Sequence, residues 1–282
     1  MTLSISFEVF PPKTGAGLGT LAEAVARLDE VRPAYISVTY GAGGSDRQRS
    51  FDTIDAVRSA TTAPIAAHLT CVGQSRAEVH VVIDRYLDLG VDHIVALRGD
   101  PPGGIDAPYE AHRDGFTSTA DLVAAIKQRG DLSVSVSAYP ERHPQSPTDD
   151  HDLDVLAAKV AAGADRAMTQ MFFDNQHFVD YLRRVRSRHI EVPIVPGIFP
   201  IHSFPAVARF AQRCGASMPS AIASRFEGLD DDPGATHDLA ADLAADQIRE
   251  LTDHGVEHVH VYTLNRSELA LAVCERLATV SV

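Results

Sequence analysis

The sequence lacks tryptophan, has three cysteines among its 282 residues, and contains no long hydrophobic run. Cys71, Cys214 and Cys274 are widely spaced and form neither a metal-binding pair nor an even disulfide set, which favours a reducing, cytoplasmic location. No apolar run approaches the roughly 18–20 residues that a membrane-spanning helix needs. The N-terminus begins in a strand pattern at Leu3, without a secretory signal.

Positive charge is also scarce, since 25 lysines and arginines face 38 aspartates and glutamates, for a net charge of -13. Proteins that bind nucleic acids normally present a basic face, so this balance argues against that class. It does not exclude a small anionic ligand, because local arginines and helix N-termini can bind one on an acidic protein. The remaining composition, 45% hydrophobic and 22% charged, is typical of a soluble globular protein.

Short β-rich runs recur along the chain, separated by stretches with the apolar spacing of helices. The predicted strands are Ile5–Phe10, Tyr35–Tyr40, Ile65–Thr70, His93–Leu97, Ser133–Ala138, Arg166–Phe172, Pro193–Ile198 and His258–Leu264. Eight strands alternating with helices predict an α/β fold, a (β/α)8 TIM barrel that forms a single domain over residues 1–282. An open doubly wound sheet is the alternative. It usually has a glycine-rich phosphate loop after its first strand, where this chain has Pro11-Pro12-Lys13.

Glu8 lies in the middle of the first predicted strand. Because a strand alternates its faces, Glu8 shares one face with Ser6, and its large apolar neighbours on the strand are Ile5, Phe7 and Val9. A carboxyl surrounded by apolar groups is costly to ionise, so burial favours its protonated form. This predicts that Glu8 is a general acid. An exposed glutamate on an edge strand is the alternative.

Functional groups of such barrels gather at the C-terminal ends of the strands. The polar and aromatic residues predicted there include Thr39, His68, Arg98, Asp100, Tyr139, His143, Gln170 and Tyr262. His68 and His143 lack neighbours with metal-ligand spacing, so no metal site is predicted. Asp100 lies two residues from Arg98, which favours the charged carboxylate. Two carboxyls in different environments suggest that Glu8 donates a proton while Asp100 stabilises a cation.

Eight short motifs occur in order along nearly the whole chain. They are Ser6–Lys13, Val38–Ala42, His68–Cys71, Ala96–Asp100, Ala138–Glu141, Thr169–Asp174, Pro196–Ile198 and Tyr262–Arg266. Any one of them would be a weak signal, but the ordered set resembles the methylenetetrahydrofolate reductase family. The chain is similar to the short bacterial form, which is a catalytic barrel without the regulatory extension of eukaryotic relatives.

The resemblance implies reduction of 5,10-methylenetetrahydrofolate to 5-methyltetrahydrofolate, with NADH or NADPH as the electron source. In the family, the residue matching Glu8 is the acid that helps to open the imidazolidine ring to a 5-iminium cation. The residue matching Asp100 stabilises the charge on the pterin. The resemblance also assigns folate contacts to Gln170, Phe204, Thr39, Arg98 and Tyr262, and cofactor contacts to His68, Tyr139, His143, Asp152 and Lys159.

One stretch departs from the family pattern. FAD-using members carry roughly Asp-Leu-x-Asn-Leu-x-Arg-Lys in the helix after strand five, and here Asp152 and Lys159 are kept while Val155 and Ala158 replace the asparagine and the arginine. Ser118 stands where the family tends to have a tyrosine. Alanine cannot supply the charge-assisted contact that an arginine makes with a pyrophosphate. We therefore expect FAD not to be tightly bound and hydride to pass directly from NAD(P)H to the folate.

Two alternatives remain open within the folate interpretation. One is a conventional FAD-dependent reductase with ping-pong kinetics on the same residues, and the other is a barrel that binds folate without catalysis. Retention of Glu8 argues against the second, because binding alone does not need an acid. A flavin-dependent proline-oxidising barrel is a more distant enzyme alternative. The expected partners are the small-molecule folate and nicotinamide, with no nucleic acid and no membrane, and the sequence leaves homo-oligomerisation open.

Overall fold

The computed structural model describes residues 3–41, 44–101, 103–104, 107–229 and 231–278. The motif Val38–Ala42 therefore falls partly outside the described residues, at Ala42. The strands are β1 Ser4–Val9, β2 Ile36–Val38, β3 Ile65–Thr70, β4 His93–Leu97, β5 Ser133–Ala138, β6 Arg166–Thr169, β7 Ile194–Val195, β8 Gly197–Ile198 and β9 His258–Tyr262.

Helices alternate with these strands. They are α1 Gly15–Asp29, α2 Gly44–Ala60, α3 Arg76–Asp88, α4 Thr119–Lys127, α5 Asp149–Ala161, α6 Asn175–Ser187, α7 Phe204–Cys214, α8 Ser220–Phe226, α9 Pro233–Asp253 and α10 Ser267–Ala278. Polar side chains define several of their starts, such as the capping box in which Ser75 and Glu78 satisfy each other's backbone N–H groups. No helix within the described ranges combines the length and apolar character that crossing a bilayer requires.

All strand pairs are parallel, in the order β7-β6-β5-β4-β3-β2-β1-β9-β8. β7 and β8 are two halves of one predicted strand, divided at Pro196, which has no N–H to contribute to the ladder. β7 pairs with β6 and β8 pairs with β9, so together the two halves close the ring. The predicted (β/α)8 barrel is therefore confirmed, with the seventh strand shared between its two neighbours.

The two faces of the strands have opposite chemistry. Outward-facing side chains such as Phe7 and Val9 are buried in one large apolar cluster between the sheet and the surrounding helices. Inward-facing positions of β1, β2 and β5 carry Ser6, Ser37 and Ser135, each fully buried. Barrel interiors are usually filled by bulky branched residues. This interior is instead partly polar.

Candidate active site

A cavity of about 640 Å³ opens at the C-terminal ends of the strands. The predicted site residues that line it are Glu8, Thr39, His68, Arg98, Asp100, Tyr139, His143, Asp152, Lys159, Gln170 and Tyr262. Parallel strands bring their C-terminal ends to one rim, which explains why residues far apart in sequence meet there. Phe204 is the predicted site residue that the structure places elsewhere.

The Glu8 carboxyl stands at the inner end of this cavity, where its side chain is 22% exposed. Its Oε2 lies 3.5 Å from Nε2 of His68 and 3.9 Å from Nε2 of His260. The Thr263 hydroxyl donates a 2.6 Å hydrogen bond to the Glu8 carbonyl, so the backbone that carries the carboxyl is anchored. The geometry directs one carboxyl oxygen toward two imidazoles and leaves the group accessible from the cavity.

The expected apolar surroundings of Glu8 are wrong. Phe7 and Val9 point outward into the cluster beneath the helices, and Ile5 packs against the same cluster. Strand alternation therefore sends the apolar neighbours to the opposite face. The carboxyl faces His68 and His260 instead.

His68 is the imidazole closest to the catalytic candidate. It is buried, and burial lowers its pKa to about 4, while the neighbouring Glu8 carboxylate opposes this shift and His260 adds to it. The ring is therefore neutral near pH 7. Its Nε2 makes no hydrogen bond within the described part of the chain, so the Glu8 oxygen at 3.5 Å is the polar atom that it faces. A small movement of either side chain would make this contact a hydrogen bond.

Asp100 is exposed at the rim, at the end of a tight turn that follows β4. Gly99 has φ +84°, and a Cβ at this position would lie 2.5 Å from Val72, so the turn requires glycine. Arg98 is expected to support the Asp100 charge, but its guanidinium donates to Gln145 Oε1 at 2.6 Å and lies over the Tyr109 ring at 4.8 Å. No ion pair joins it to Asp100 within the described ranges, which leaves the Asp100 carboxylate facing the cavity.

Tyr262 and Gln170 form the wall next to Glu8. The Tyr262 hydroxyl donates a 2.7 Å hydrogen bond to the Thr169 carbonyl, and burial raises the pKa of this phenol well above its usual value. Gln170 Oε1 accepts from the Met171 backbone N–H at 2.9 Å, which leaves its amide nitrogen as the donor. A Cβ at Gly197 would lie 2.3 Å from the Thr169 carbonyl, so this wall has no space for another side chain.

An aromatic residue on α7 lines the cavity, but it is not the predicted one. Phe204 lies in a separate depression, where its ring stacks on Phe226 at a centroid distance of 5.4 Å. Phe210 lines the main cavity, is 43% exposed, and packs against Phe199 at 5.7 Å. Sequence reasoning missed Phe210. The signal that the sequence offers is that Phe210 is the other phenylalanine of the same helix.

Helix α5 forms the opposite wall. Asp152 Oδ2 accepts a 3.0 Å hydrogen bond from the backbone N–H of His143, which fixes the loop that carries this residue. The centroid of the His143 ring lies 4.7 Å from that of Tyr139. Lys159 is 5% exposed, and its Nζ donates to the carbonyl and hydroxyl of Ser137 at 2.9 and 3.2 Å. Burial lowers the Lys159 pKa to about 8, and the Asp152 carboxylate opposes that shift. Two of the lysine's three donors are therefore used within the protein.

The same wall offers little to a dinucleotide phosphate. Val155 presents an apolar side chain to the cavity, and Ala158 has no polar group. The first turn of α5 carries three acidic residues, Asp149, Asp150 and Asp152. Asp154 points away from the cavity, because it pairs with Arg188 on the outer surface. Asp154 therefore has no bearing on a phosphate in the cavity, but the acidic first turn is unfavourable to an anion.

The predicted change at Ser118 also has a local structural role. Ser118 is the N-cap of α4, and its hydroxyl accepts a 3.1 Å hydrogen bond from the Asp121 N–H.

Within the ranges that the structure describes, no group of three or more histidine, cysteine or acidic side chains has the arrangement of a metal site.

Comparison with known proteins identifies relatives of the whole chain. The family model described as methylenetetrahydrofolate reductase matches residues 1–278. The 5,10-methylenetetrahydrofolate reductase of Pectobacterium carotovorum is 39% identical over 277 residues, which cover 98% of this chain and 90% of that protein. The Escherichia coli enzyme of the same name is 38% identical over 275 residues, with the same coverage of both chains.

A solved structure shares the fold at much lower identity. An uncharacterised protein from Clostridium thermocellum, described as binding two copies of 5-methyl-5,6,7,8-tetrahydrofolic acid, aligns with a TM-score of 0.65 at 15% identity. The alignment covers 98% of this chain and 96% of that one. Whole-length agreement with the family model and with bacterial enzymes shows that the chain belongs to the methylenetetrahydrofolate reductase family of oxidoreductases.

Proposed function

We propose that this protein reduces 5,10-methylenetetrahydrofolate to 5-methyltetrahydrofolate with NADH or NADPH, by direct hydride transfer and without tightly bound FAD. The observation that carries the reaction is the Glu8 carboxyl, held at the inner end of an open cavity with Asp100 on the rim. The family and the names of the bacterial relatives support the choice of folate as the substrate.

Glu8 acts as the general acid. It protonates the nitrogen that leaves when the imidazolidine ring opens, and the carbon–nitrogen pair left behind becomes a 5-iminium cation. General acid catalysis of this kind contributes about 10²–10⁴ in rate. The Asp100 carboxylate stabilises the positive charge, and the free amide N–H₂ of Gln170 donates to the pterin.

The hydride donor binds in the same cavity. A dihydronicotinamide delivers two electrons and a hydrogen to the iminium carbon, which becomes the methyl group, so each turnover consumes one proton from Glu8 and releases NAD(P)⁺. The exposed ring of Phe210 supplies an apolar face on which the stacked reactants can rest. Near-attack geometry requires the reacting atoms to approach to about 3–3.5 Å.

The α5 wall supports flavin independence. Val155 and Ala158 offer no hydrogen-bond donor to a flavin pyrophosphate, and Lys159 already donates to Ser137. Losing contacts worth roughly 1.5–3 kcal/mol for each hydrogen bond to a charged group weakens binding by several orders of magnitude when two are absent. The residues do not fit FAD, and no step of the proposed reaction passes through it.

Two measurements on the purified protein test the proposal. Visible absorption should show no bound flavin, and initial rates with NADH and methylenetetrahydrofolate should give intersecting double-reciprocal lines, because both substrates must be bound together. Both substrates should be needed for loss of nicotinamide absorbance. A yellow protein with stoichiometric FAD and parallel lines would overturn direct transfer, and absence of methyltetrahydrofolate formation would overturn the reaction itself.

The proposed location is a reducing compartment such as the cytoplasm. Cys71 is buried, Cys214 and Cys274 are partly buried, and all three are free thiols. Burial raises the pKa of Cys214 and of Cys274 to about 11, so these thiols remain protonated and unreactive near neutral pH. This chemistry supports the expectation drawn from cysteine spacing.

A further inference from the structure

A column of polar side chains lies inside the barrel beneath Glu8, and the reaction above does not use it. His260 Nδ1 is 2.7 Å from Ser6 Oγ, and Ser6 Oγ is 3.0 Å from His258 Nε2. The strand register creates this arrangement, because β1 and β9 pair Ser4 with His258 and Ser6 with His260. Side chains at every second position then point into the barrel and follow one another along its axis.

The column connects the cavity with the other end of the barrel. Ser6 and His260 are fully buried, whereas His258, the first residue of β9, is partly exposed. At the upper end, His260 Nε2 lies 3.9 Å from Glu8 Oε2. Buried polar groups in a barrel interior need a reason, since branched apolar side chains normally fill that space.

We propose that His258, Ser6 and His260 form a proton path from the N-terminal face of the barrel to Glu8. The proposal deepens the proposed function, because it supplies the proton that each turnover removes from the Glu8 carboxyl. It does not depend on whether the hydride donor is a nicotinamide or a flavin.

Each transfer along the path conserves atoms and charge. A proton arrives at the exposed end of His258, His258 Nε2–H donates to Ser6, the Ser6 hydroxyl donates to His260 Nδ1, and His260 Nε2–H donates to the Glu8 carboxylate. Rotation of the Ser6 hydroxyl and exchange of the imidazole tautomers then reset the path. The last gap of 3.9 Å must shorten to about 3 Å, which a small rotation of the Glu8 side chain achieves.

The surroundings keep His258, at the entrance of the path, uncharged between transfers. The titratable and charged groups that face the path are Glu8, Tyr262, His68, His93, Tyr35 and Arg166. Burial, with smaller contributions from the nearby His260 and Arg166, lowers the pKa of His258 to about 4. A neutral imidazole can accept a proton on one nitrogen while it releases one from the other, so His258 relays protons without storing one.

An internal path matters because the cavity mouth is blocked during the reaction. Glu8 reaches solvent through the same cavity in which folate and nicotinamide are expected to stack. While reactants or products fill that cavity, bulk water cannot reprotonate Glu8 from above. The column approaches Glu8 from below whether or not the cavity is filled, so the acid can be restored before the products leave.

Ser6→Ala tests the path, because it removes the central hydroxyl and leaves an apolar gap between the two histidines. In the resting enzyme Glu8 exchanges protons with bulk water through the open cavity, in the variant as in the wild type, so the first equivalent of methyltetrahydrofolate should form at the wild-type rate. At saturating concentrations of both substrates, which keep the cavity filled, later turnovers should be slower by at least about tenfold, because a Glu8 that has not regained its proton gives no general acid catalysis. Stopped-flow measurement should therefore show a burst of one product per active site that the wild type lacks.

Two further variants control for structural effects. Ser6→Thr keeps the hydroxyl and should restore steady-state turnover. Ser135→Ala is a matched control, because Ser135 is also fully buried inside the barrel but lies off the path. Its hydroxyl oxygen is within hydrogen-bond distance of a histidine, at 2.7 Å from His93 Nε2. It should show no burst.

The possible results separate cleanly. If Ser6→Ala shows no burst, or slows the first and later turnovers by the same factor, the path is wrong. If Ser6→Ala does not fold, His258→Asn, at the partly exposed end of the path, takes its place. The same burst is expected of this variant, and the same two results would contradict the path. Failure of the wild type to form methyltetrahydrofolate would instead reject the proposed function.

Discussion

Glu8 is the residue on which the proposed chemistry depends, because it is the carboxyl that stands between the cavity and the buried histidines. Glu8→Gln keeps the size of the side chain but removes its acidic proton. We expect turnover to fall by about 10²–10⁴ while folate binding, measured by titration, changes little. Glu141→Gln is the matched control, since Glu141 accepts from the Ser217 N–H at 2.9 Å on an outer loop. Wild-type turnover in Glu8→Gln would remove Glu8 from the mechanism.

Residue identity was partly predictable from the sequence, but orientation was not. Strand alternation placed Glu8 and Ser6 on the same face, yet it could not show that His68 and His260 would complete the environment of the carboxyl. Those contacts come from strands distant in sequence. The aromatic residues of α7 also had an orientation that the sequence could not predict, because the rotation of a helix about its axis depends on packing. The rotation of α7 places Phe210 at the cavity instead of Phe204.

Helix α5 is the element that sets the cofactor preference in this proposal. A Val155→Asn/Ala158→Arg variant restores the polar groups that the FAD-using pattern carries. One added arginine contact is worth roughly 1.5–3 kcal/mol, so FAD affinity should rise by at least about tenfold. Quenching of flavin fluorescence measures the binding.

The control for this variant places the same charge elsewhere on the helix. Ala161→Arg adds an arginine at an exposed position of α5 that does not line the cavity. It should leave FAD affinity unchanged. Equal affinities for the double variant and the wild type would show that α5 does not determine flavin binding.

Element boundaries followed the sequence where hydrogen bonding agreed with residue preference. β3, β4 and β5 have the predicted bounds, because apolar and β-branched residues fill each run. The predicted strand Arg166–Phe172 ends at Thr169, where the chain turns into the cavity wall. The predicted strand Pro193–Ile198 is divided, because Pro196 cannot donate a ladder hydrogen bond.

The whole molecule should lose stability in mild acid because its interior holds neutral histidines. Burial lowers the pKa of His68 to about 4 and that of His93 to about 3, against about 6.5 in the unfolded chain. Below about pH 6.5 the unfolded state therefore binds protons that the folded state excludes, so stability falls as pH decreases. The slope should approach about 1.4 kcal/mol per pH unit for each buried histidine.

Denaturant unfolding at pH 7.5 and at pH 5.5 measures this loss. His93→Gln should reduce the difference between the two pH values, whereas the exposed His254→Gln should preserve it. Carboxylates with lowered pKa values, such as Asp29, lose their contribution only in stronger acid. An unchanged difference in His93→Gln would mean that His93 is charged in the folded protein.

At the scale of the whole chain, the barrel was predictable because eight alternating units leave few other ways to bury both faces of a parallel sheet. The polar column inside the barrel was not predictable. The alternation of side chains along a strand assigns each residue to a face, but it does not show which strands face each other across the barrel axis. Tyr35, outside the observed bounds of β2, stacks on His260 at 5.7 Å, a contact that depends on closure of the ring.

The strand divided at Pro196 interrupts the continuous pairing of the barrel between β7 and β8. β7 and β8 each hold their neighbour by two register pairs, whereas β1 and β9 share five. The Tyr262 hydroxyl spans the gap to the Thr169 carbonyl and fastens the two sides. Local opening costs least where pairing is shortest. We therefore expect the barrel to open locally beside Tyr262, where β7 and β8 are weakly paired. A bulky bicyclic ring could then enter without disturbing the continuous strands that hold Glu8.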